Sequence, residues 1–236
     1  MKIFAVNGSE KGNRGVTYDL YRHFIKAMEE AGASINSIDL RRQNIESCRA
    51  CMNCWNITPG KCVINDDMSS FIKEICQADL LVLESPVYLN SASSLLKRFI
   101  ERCMPMNNRN FRVDDEGHFQ HCTNFKIPPF IVISTCGLPG NNNFEAIDFF
   151  FEKLACGWDT KIVGKIYRSE AYLFEADIQE LKVLKEDYFR RLTECAKEVV
   201  NTGYIKEATQ KRINSLLLKA NIYVETAKGM RFGTTE

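Results

Sequence analysis

The sequence predicts an α/β fold in which a parallel sheet carries helices on both faces. Three observations point there. Short apolar runs alternate with stretches of helical spacing along the chain, the pattern of repeated β-α units. The first run opens directly into a glycine-rich loop and a helix, as the start of such a unit does. The run Leu80–Leu83 is uninterrupted apolar sequence, which suits a central strand covered on both faces.

Each element follows from its residues. Lys2–Asn7 (KIFAVN) reads as a short buried strand and runs into Gly8, Ser9, Gly12 and Gly15. Leu20, Phe24, Ala27, Met28 and Ala31 then recur at helical spacing, and Gly32 suits the stop. Ser34–Leu40 is the second strand. A loop over residues 43–66 holds four clustered cysteines. Asp67 is placed to cap a helix that runs to about Ala78. Asp79–Glu84 is the third strand, ended by Ser85-Pro86 because proline cannot continue a central ladder. Ser91–Cys103 returns to helical spacing through Leu95, Leu96, Phe99 and Ile100. Residues 104–127 are a polar excursion that reads as a hairpin, with a turn at Asp114-Asp115-Glu116-Gly117. Phe130–Ser134 is the fourth strand, Phe144–Cys156 a Phe-rich helix and Thr160–Tyr167 the fifth strand. Asp177–Asn201 is a long amphipathic helix. A tail helix follows, with Ile213, Leu216, Leu217, Ala220 and Val224 on one side. Five strands joined by right-handed crossovers favour the flavodoxin-like, doubly wound order 2-1-3-4-5. One domain over residues 1–203 is expected. The tail, residues 204–236, is either part of it or a subunit interface.

Composition narrows the function classes. Lys and Arg number 31 and Asp and Glu 30, a net charge of +1. Nucleic-acid and polybasic membrane binding both work through a charge excess, so neither is expected. No apolar run is long enough to span a bilayer, and the start of the chain is not a signal peptide. The ten cysteines are therefore expected in a reducing cytoplasm, as packed residues, metal ligands or redox groups.

Ligands of such sheets bind beyond the carboxyl ends of the strands, at the switch point between the first and third. Three loops meet there. The first has Ser9, Lys11, Gly15 and Thr17 ahead of a helix, where backbone N–H groups and the helix end favour an anion; a structural turn is the alternative. Its spacing, Gly8-x3-Gly12-x2-Gly15, is neither the dinucleotide fingerprint nor a P-loop. The second, Ser85–Ser91, offers Pro86 and Tyr88 as a wall for a flat ring; a strand end and helix cap is the alternative. The third, Ser134–Asn141, has small residues that let a ligand approach backbone. One phosphate loop and two ring-facing loops are what a mononucleotide such as FMN requires.

Gly8–Thr17, Cys48–Met68 (CRACMNCWNITPGKCVINDDM), Ser85–Arg102 (SPVYLNSASSLLKRFIER) and Ser134–Pro139 (STCGLP) resemble the NAD(P)H-dependent FMN reductases of flavodoxin-like fold. The branch they look most like is the iron–sulfur flavoproteins. The resemblance implies FMN, with its phosphate beside Ser9, Lys11, Gly15, Val16 and Thr17. It places the ring against Pro86, Val87, Tyr88 and Asn90, then Thr135, Cys136 and Gly137. The first loop departs from the family's pattern at Glu10, Lys11 and Val16, and is one residue longer.

Cys48-x2-Cys51-x2-Cys54-x7-Cys62 can wrap a 4Fe–4S cubane and resembles the compact motif of that branch. A clusterless loop and a zinc site stand as alternatives, and Trp55 and Pro59-Gly60 shape the loop in any case. Cys136 reads as a packed thiol or a group near the flavin. His118, His121 and Cys122 form a weak metal candidate on a solvated hairpin. His23 reads as a surface residue. Lys97, Arg98, Glu101 and Arg102 read as helix-face charges, with Arg98 or Arg102 open to a partner subunit. Asp39 is a weak ribose candidate.

The expected function is an FMN-dependent oxidoreductase. It would move electrons from NADH or NADPH to a quinone, free flavin, or a nitro or metal-containing acceptor. No side-chain acid or base is demanded, so no catalytic residue is named. The rivals are an electron carrier with ferredoxin as donor, and a non-enzymatic zinc- and nucleotide-binding module. Similar proteins imply a homodimer or homotetramer.

Overall fold

The computed structural model describes residues 1–113, 117 and 119–228. The expected turn at Asp114-Asp115-Glu116, and His118, lie outside the described residues. The strands are β1 (Lys2–Asn7), β2 (Ser34–Asp39), β3 (Leu80–Pro86), β4 (Asn107–Val113), β5 (Phe119–Thr123), β6 (Phe130–Thr135) and β7 (Ile162–Arg168). The helices are α1 (Val16–Glu30), α2 (Asn53–Asn56), α3 (Met68–Gln77), α4 (Ser94–Glu101) and α5 (Glu145–Gly157). They continue with α6 (Tyr172–Glu175), α7 (Gln179–Thr202), α8 (Glu207–Ile213) and α9 (Ala220–Lys228).

Five strands form one parallel sheet in the order β2-β1-β3-β6-β7. This is the expected 2-1-3-4-5 winding, with the antiparallel hairpin β4-β5 inserted between its third and fourth strands. Alternation along the strands divides the core. Ile3, Ala5, Leu80, Val82, Ile131 and Ile133 face α1 and α7. Phe4, Val6, Leu81, Leu83, Phe130 and Val132 face α3, α4 and α5. All seven residues of β3 are buried, the burial that an apolar run in a parallel sheet implies.

Local details differ from expectation for identifiable reasons. β3 runs two residues beyond Glu84 and ends at Pro86, which pairs with Thr135 as the strand's last residue. Val87 N–H donates to Thr135 O across to β6, so the neighbouring position 86 faces the β1 side. There β1 has already stopped at the Asn7–Glu84 pair, and no donor is needed. Asp67 holds the N-cap position of α3, but its side chain makes no capping bond. Its carboxylate accepts from Asn44 N–H (2.7 Å), while Asp66 Oδ1 accepts from Met68 N–H (3.2 Å). His23 is not a free surface residue: its ring hydrogen-bonds Thr193 on α7 (2.8 Å), and burial lowers its pKa.

The tail is two helices rather than one. Ile213 and Tyr223 are buried, while Leu216 and Val224 are exposed. It protects the open edge of β7. Ile205 N–H donates to Val163 O, Lys165 N–H to Gln210 Oε1 and Tyr167 N–H to Asn214 Oδ1, while Asn214 Nδ2 donates to Lys165 O. Side chains thus complete the ladder that a sixth strand would have made, which blunts an edge otherwise prone to pairing. At the end of β7, Arg168 and Glu170 form a fully buried pair (3.1 Å). Glu170 accepts the N–H groups of Leu217 (2.7 Å) and Leu218 (3.0 Å), and Arg168 donates to Ser215 O (2.9 Å).

Glu170→Ala is expected to cost about 3–5 kcal/mol in urea unfolding, since it strands a buried guanidinium. It should also make residues 214–228 cleavable in limited proteolysis. Lys211→Ala, which removes only an exposed pair with Glu207, should change neither.

Candidate functional site

The sheet order reverses at β1, so the switch point lies between β1 and β3. Gly8 follows β1 and cannot be replaced there without movement. A Cβ on it would lie 2.7 Å from Glu84 O and 2.8 Å from Leu96 Cβ. Its N–H donates to Glu84 O (3.0 Å), and its carbonyl accepts from Ser93 Oγ, the N-cap of α4 (2.5 Å). Gly12 takes φ 55° beneath the Arg41 guanidinium, a backbone conformation that glycine adopts at no steric cost.

The first intrahelical bond of α1 runs from Asp19 N–H to Gly15 O (3.1 Å). The N–H groups of Val16, Thr17 and Tyr18 therefore lie at the open, positive end of the helix. Ser9, Gly15, Val16 and Thr17 are buried there, whereas Lys11 is exposed and pairs with Glu175 (3.3 Å). Thr17 Oγ1 and Thr135 Oγ1 hydrogen-bond at 2.6 Å, which ties the first loop to the third. Asp39 turns to its own segment and accepts from Arg41 N–H (3.1 Å).

The second loop is a two-residue reversal. Tyr88 and Ser91 exchange backbone hydrogen bonds at 3.0 Å in both directions. Leu89 and Asn90 between them take φ 47° and 65°, as a type I′ turn requires. Asparagine suits that conformation; leucine there costs about 1–2 kcal/mol. Leu89 is 99% exposed, so nothing in the fold repays the strain, and such strain gathers at functional sites. Tyr88 is partly exposed beside it. On the third loop Thr135 is buried and Cys136 half-buried, its thiol pKa pushed up by burial. Gly137 packs under the Tyr172 ring, 2.2 Å from where a Cβ would stand. Gly137 O accepts from Tyr223 of the tail (2.6 Å).

Sequence reasoning passed over Glu84. It is fully buried at the end of β3, one position before the Ser-Pro-Val-Tyr stretch. Its Oε2 accepts the Gly8 N–H (2.9 Å). Its Oε1, like the Nδ2 of its register partner Asn7, has no hydrogen-bond partner among the described residues. Burial raises its carboxyl to about 8; the Gly8 and Ser9 N–H groups pull the other way, and Glu10 and Asp39 push it further up. A Glu in an otherwise apolar run of a central strand was the available signal.

Cys48, Cys51, Cys54 and Cys62 line one small cavity with Met52, Arg102, Met104 and Pro105. The loop that carries them is curled, with Ala50 at φ 48° and Met52 at φ 57°. Trp55 anchors it by donating to Met104 O (2.9 Å). Arg102 is not a surface charge. It is buried, donates to both oxygens of Asp66 and to Glu46 O, and presents NH2 to Cys62 Sγ at 3.6 Å. Among the described residues no three His, Cys, Asp or Glu side chains are grouped for a metal ion. His121 packs against Trp55 with the rings tilted by 49° (4.6 Å between ring centroids). Cys122 is its neighbour in β5, and successive strand residues face opposite ways, so the two cannot share a metal.

One cavity reaches the first loop at Asn7 and Asn13, and another lies beside the cysteine loop. The former, of about 580 Å³, follows α1 and the end of β2, lined by Tyr18, Arg22, Asp39 and Arg42. The latter, of about 750 Å³, opens between the hairpin, α5 and the cysteine loop, lined by Trp55, Phe119, His121, Lys153 and Trp158. Among the described residues no helix is long and apolar enough to cross a membrane.

The family described as NADPH-dependent FMN reductase matches residues 1–120. An iron-sulfur flavoprotein of Methanocaldococcus jannaschii is 32% identical over 106 residues, 45% of this chain and 53% of that protein. Such matches span about half the length of the curated relatives. An FMN-dependent NADH-azoreductase of Bacillus anthracis, solved with FMN, superposes at TM-score 0.61 with 16% identity, over 85% of this chain and 99% of that one. An NAD(P)H:quinone oxidoreductase of Methanothermobacter marburgensis superposes at TM-score 0.58 with 13% identity, over 84% and 96%. At these identities the superpositions show a shared fold.

Glu84 gives the fold a signature in pH. Its ordinary value is 4.5 and its folded value about 8, so the folded chain keeps a proton that the unfolded chain releases. Its contribution to stability is complete below about pH 4.5 and is lost as pH rises to about 8. Melting temperatures taken from pH 5 to 9 should fall less steeply in Glu84→Gln than in the wild type.

Proposed function

The chain belongs to the NADPH-dependent FMN reductase family, and on that premise we propose that it binds FMN and passes electrons from NAD(P)H to a small acceptor such as a quinone. The observation that carries this is the meeting of three loops at the switch point, one of them ending at the open N-terminus of α1. Two features support the fit. Buried polar atoms of Asn7 and Glu84 lie unpaired beneath the first loop, and a strained, exposed turn stands at its mouth.

In this reading the N–H groups of Val16 and Thr17, with the Ser9 and Thr17 hydroxyls, hold the phosphate, and Lys11 lies at its rim. Pro86, Val87, Tyr88 and Asn90 wall one side of the ring. Thr135, Cys136 and Gly137 line the other, and Gly137 is held in place by Tyr172 and Tyr223. Bound FMN supplies the hydride and electron chemistry; the protein orients it and keeps water from one face. Azo, quinone, nitro and free-flavin acceptors all suit that chemistry. Leu89, exposed beside the ring site, supports a homodimer or homotetramer in which a partner covers it.

The cysteine loop supports a finer reading. Four thiols at one cavity are the donor set of a 4Fe–4S cluster. Arg102 adds a cation beside Cys62. Their grouping as it stands does not satisfy a metal, so the loop must draw in for a cluster to form. The same donor set supports an electron carrier reduced by ferredoxin.

Anaerobic purification, an absorption spectrum and assays of iron and acid-labile sulfide test both levels. Flavin with about four irons per chain is expected for the finer reading, and flavin without iron leaves a two-electron FMN reductase. Protein free of both would sink the proposal. Thr17→Val should raise the Kd for FMN about tenfold, the value of one hydrogen bond to a charged group. Riboflavin, which lacks the phosphate, should bind the variant and the wild type alike.

A further inference from the structure

Glu84 lies where an anion site would not be expected to keep an acid. It is fully buried, forms the floor of the first loop and occupies the Gly8 N–H with one oxygen, while the other is unpaired. Asn7 beside it takes the Ser9 N–H (2.9 Å) with its own Oδ1. The two side chains thus engage the first two amides of the loop that is assigned to the phosphate. An ionised carboxylate here would set a full negative charge under that loop, with low-dielectric core around it and little screening.

No cation stands among the groups that act on Glu84. On the first loop Glu10 adds a negative charge, and Lys11 is spent on Glu175. At the end of β2, Asp39 adds another, and Arg41 pairs with it (3.4 Å). On α1 the Tyr21 hydroxyl is bonded to Ser37 (2.7 Å). Tyr88 faces Glu84 from the turn and is itself raised by burial. On α4, Ser93 and Leu96 approach the loop and do not titrate at neutral pH. The contrast with Asp66 and Glu170 is direct, since each of those buried acids has an arginine.

We propose that Glu84 makes phosphate binding at the first loop proton-linked: the loop accepts a phosphate-ester dianion with Glu84 protonated and releases it when Glu84 ionises. With Glu84 neutral, the Val16 and Thr17 amides at the helix end favour an anion without a buried charge opposing them. Ionised Glu84 sets a full negative charge behind the Gly8 amide, next to the phosphate site, and repels the dianion. The residue therefore sets which ligands stay bound in mild alkali: riboflavin, without phosphate, is indifferent to it, and FMN is not. This inference rests on the flavin reading given above.

The test is flavin fluorescence quenching, with FMN and with riboflavin, from pH 6.5 to 10. The phosphate is a dianion across this range, its second pKa being about 6. Ionisation of the ring itself is common to both flavins. In the wild type the ratio of FMN to riboflavin affinity should be flat to about pH 8 and then fall by about tenfold per pH unit. Glu84→Gln should bind FMN with no such fall, and Glu10→Gln should retain it. Parallel profiles for the two flavins in the wild type, or a fall that survives in Glu84→Gln, overturn the proposal while leaving flavin binding intact. The wild-type comparison decides the matter even if Glu84→Gln does not fold. Failure of the wild type to quench either flavin at pH 7 removes the flavin reading, and this inference with it.

Discussion

The carboxyl end of the sheet is organised by the approach of Gly8 to Glu84 and α4. With no side chain, Gly8 brings its backbone within hydrogen-bonding distance of the Glu84 carbonyl, and its own carbonyl reaches Ser93. One residue thereby joins β1, β3 and the N-terminus of α4. Ser85 extends the network: its Oγ accepts from Ser93 N–H (2.8 Å), and its carbonyl accepts from Ser134 Oγ (2.7 Å). Thr17 and Thr135 close it from the other side. The roots of all three loops are therefore tied to one another and to the strand ends. That rigidity is what a preorganised site requires, and a side chain at position 8 would push against backbone on one side and a packed leucine on the other.

Much of this was legible in the sequence, and the reasons are specific. Strands buried on both faces announce themselves as unbroken apolar runs, so β1, β3 and β6 are found to within a residue or two. The glycine-rich loop and the Ser-Pro-Val-Tyr stretch mark the first two site loops because turns and strand ends draw on few residue types. What stayed hidden depended on partners distant in sequence. Arg102 looks like one more charge on a helix face until Asp66, from before α3, is seen to hold it with two hydrogen bonds. The tail reads as one apolar stripe, yet Asn214 and Gln210 decide its path by bonding the edge of β7. Polar residues that satisfy backbone groups have no periodicity, so pattern reasoning passes over them.

The tail also bears on the site. Arg168 and Glu170 hold residues 215–218 at the end of β7, and from there α9 carries Tyr223 to the Gly137 carbonyl. Glu170 itself takes φ 60°, a conformation that costs a non-glycine residue about 1–2 kcal/mol. The bonds it makes to two tail amides and to Arg168 compensate that cost. Edge protection and support of the third loop thus come from one segment, residues 205–223.

Three buried acids sit near the carboxyl end of the sheet, and the difference between them is the chemical lesson of the fold. Asp66 and Glu170 each meet an arginine, and each pair then satisfies backbone groups: those of the cysteine loop for Asp66, those of the tail for Glu170. Such pairs lock segments in place more than they add net stability, because desolvation offsets much of their attraction. Glu84 has no cation, and without one a fully buried carboxyl is stable only when neutral. A core that needed merely to fill that position would do so better with an apolar residue of similar size. The acid's position next to the first loop therefore argues for a role in what that loop binds.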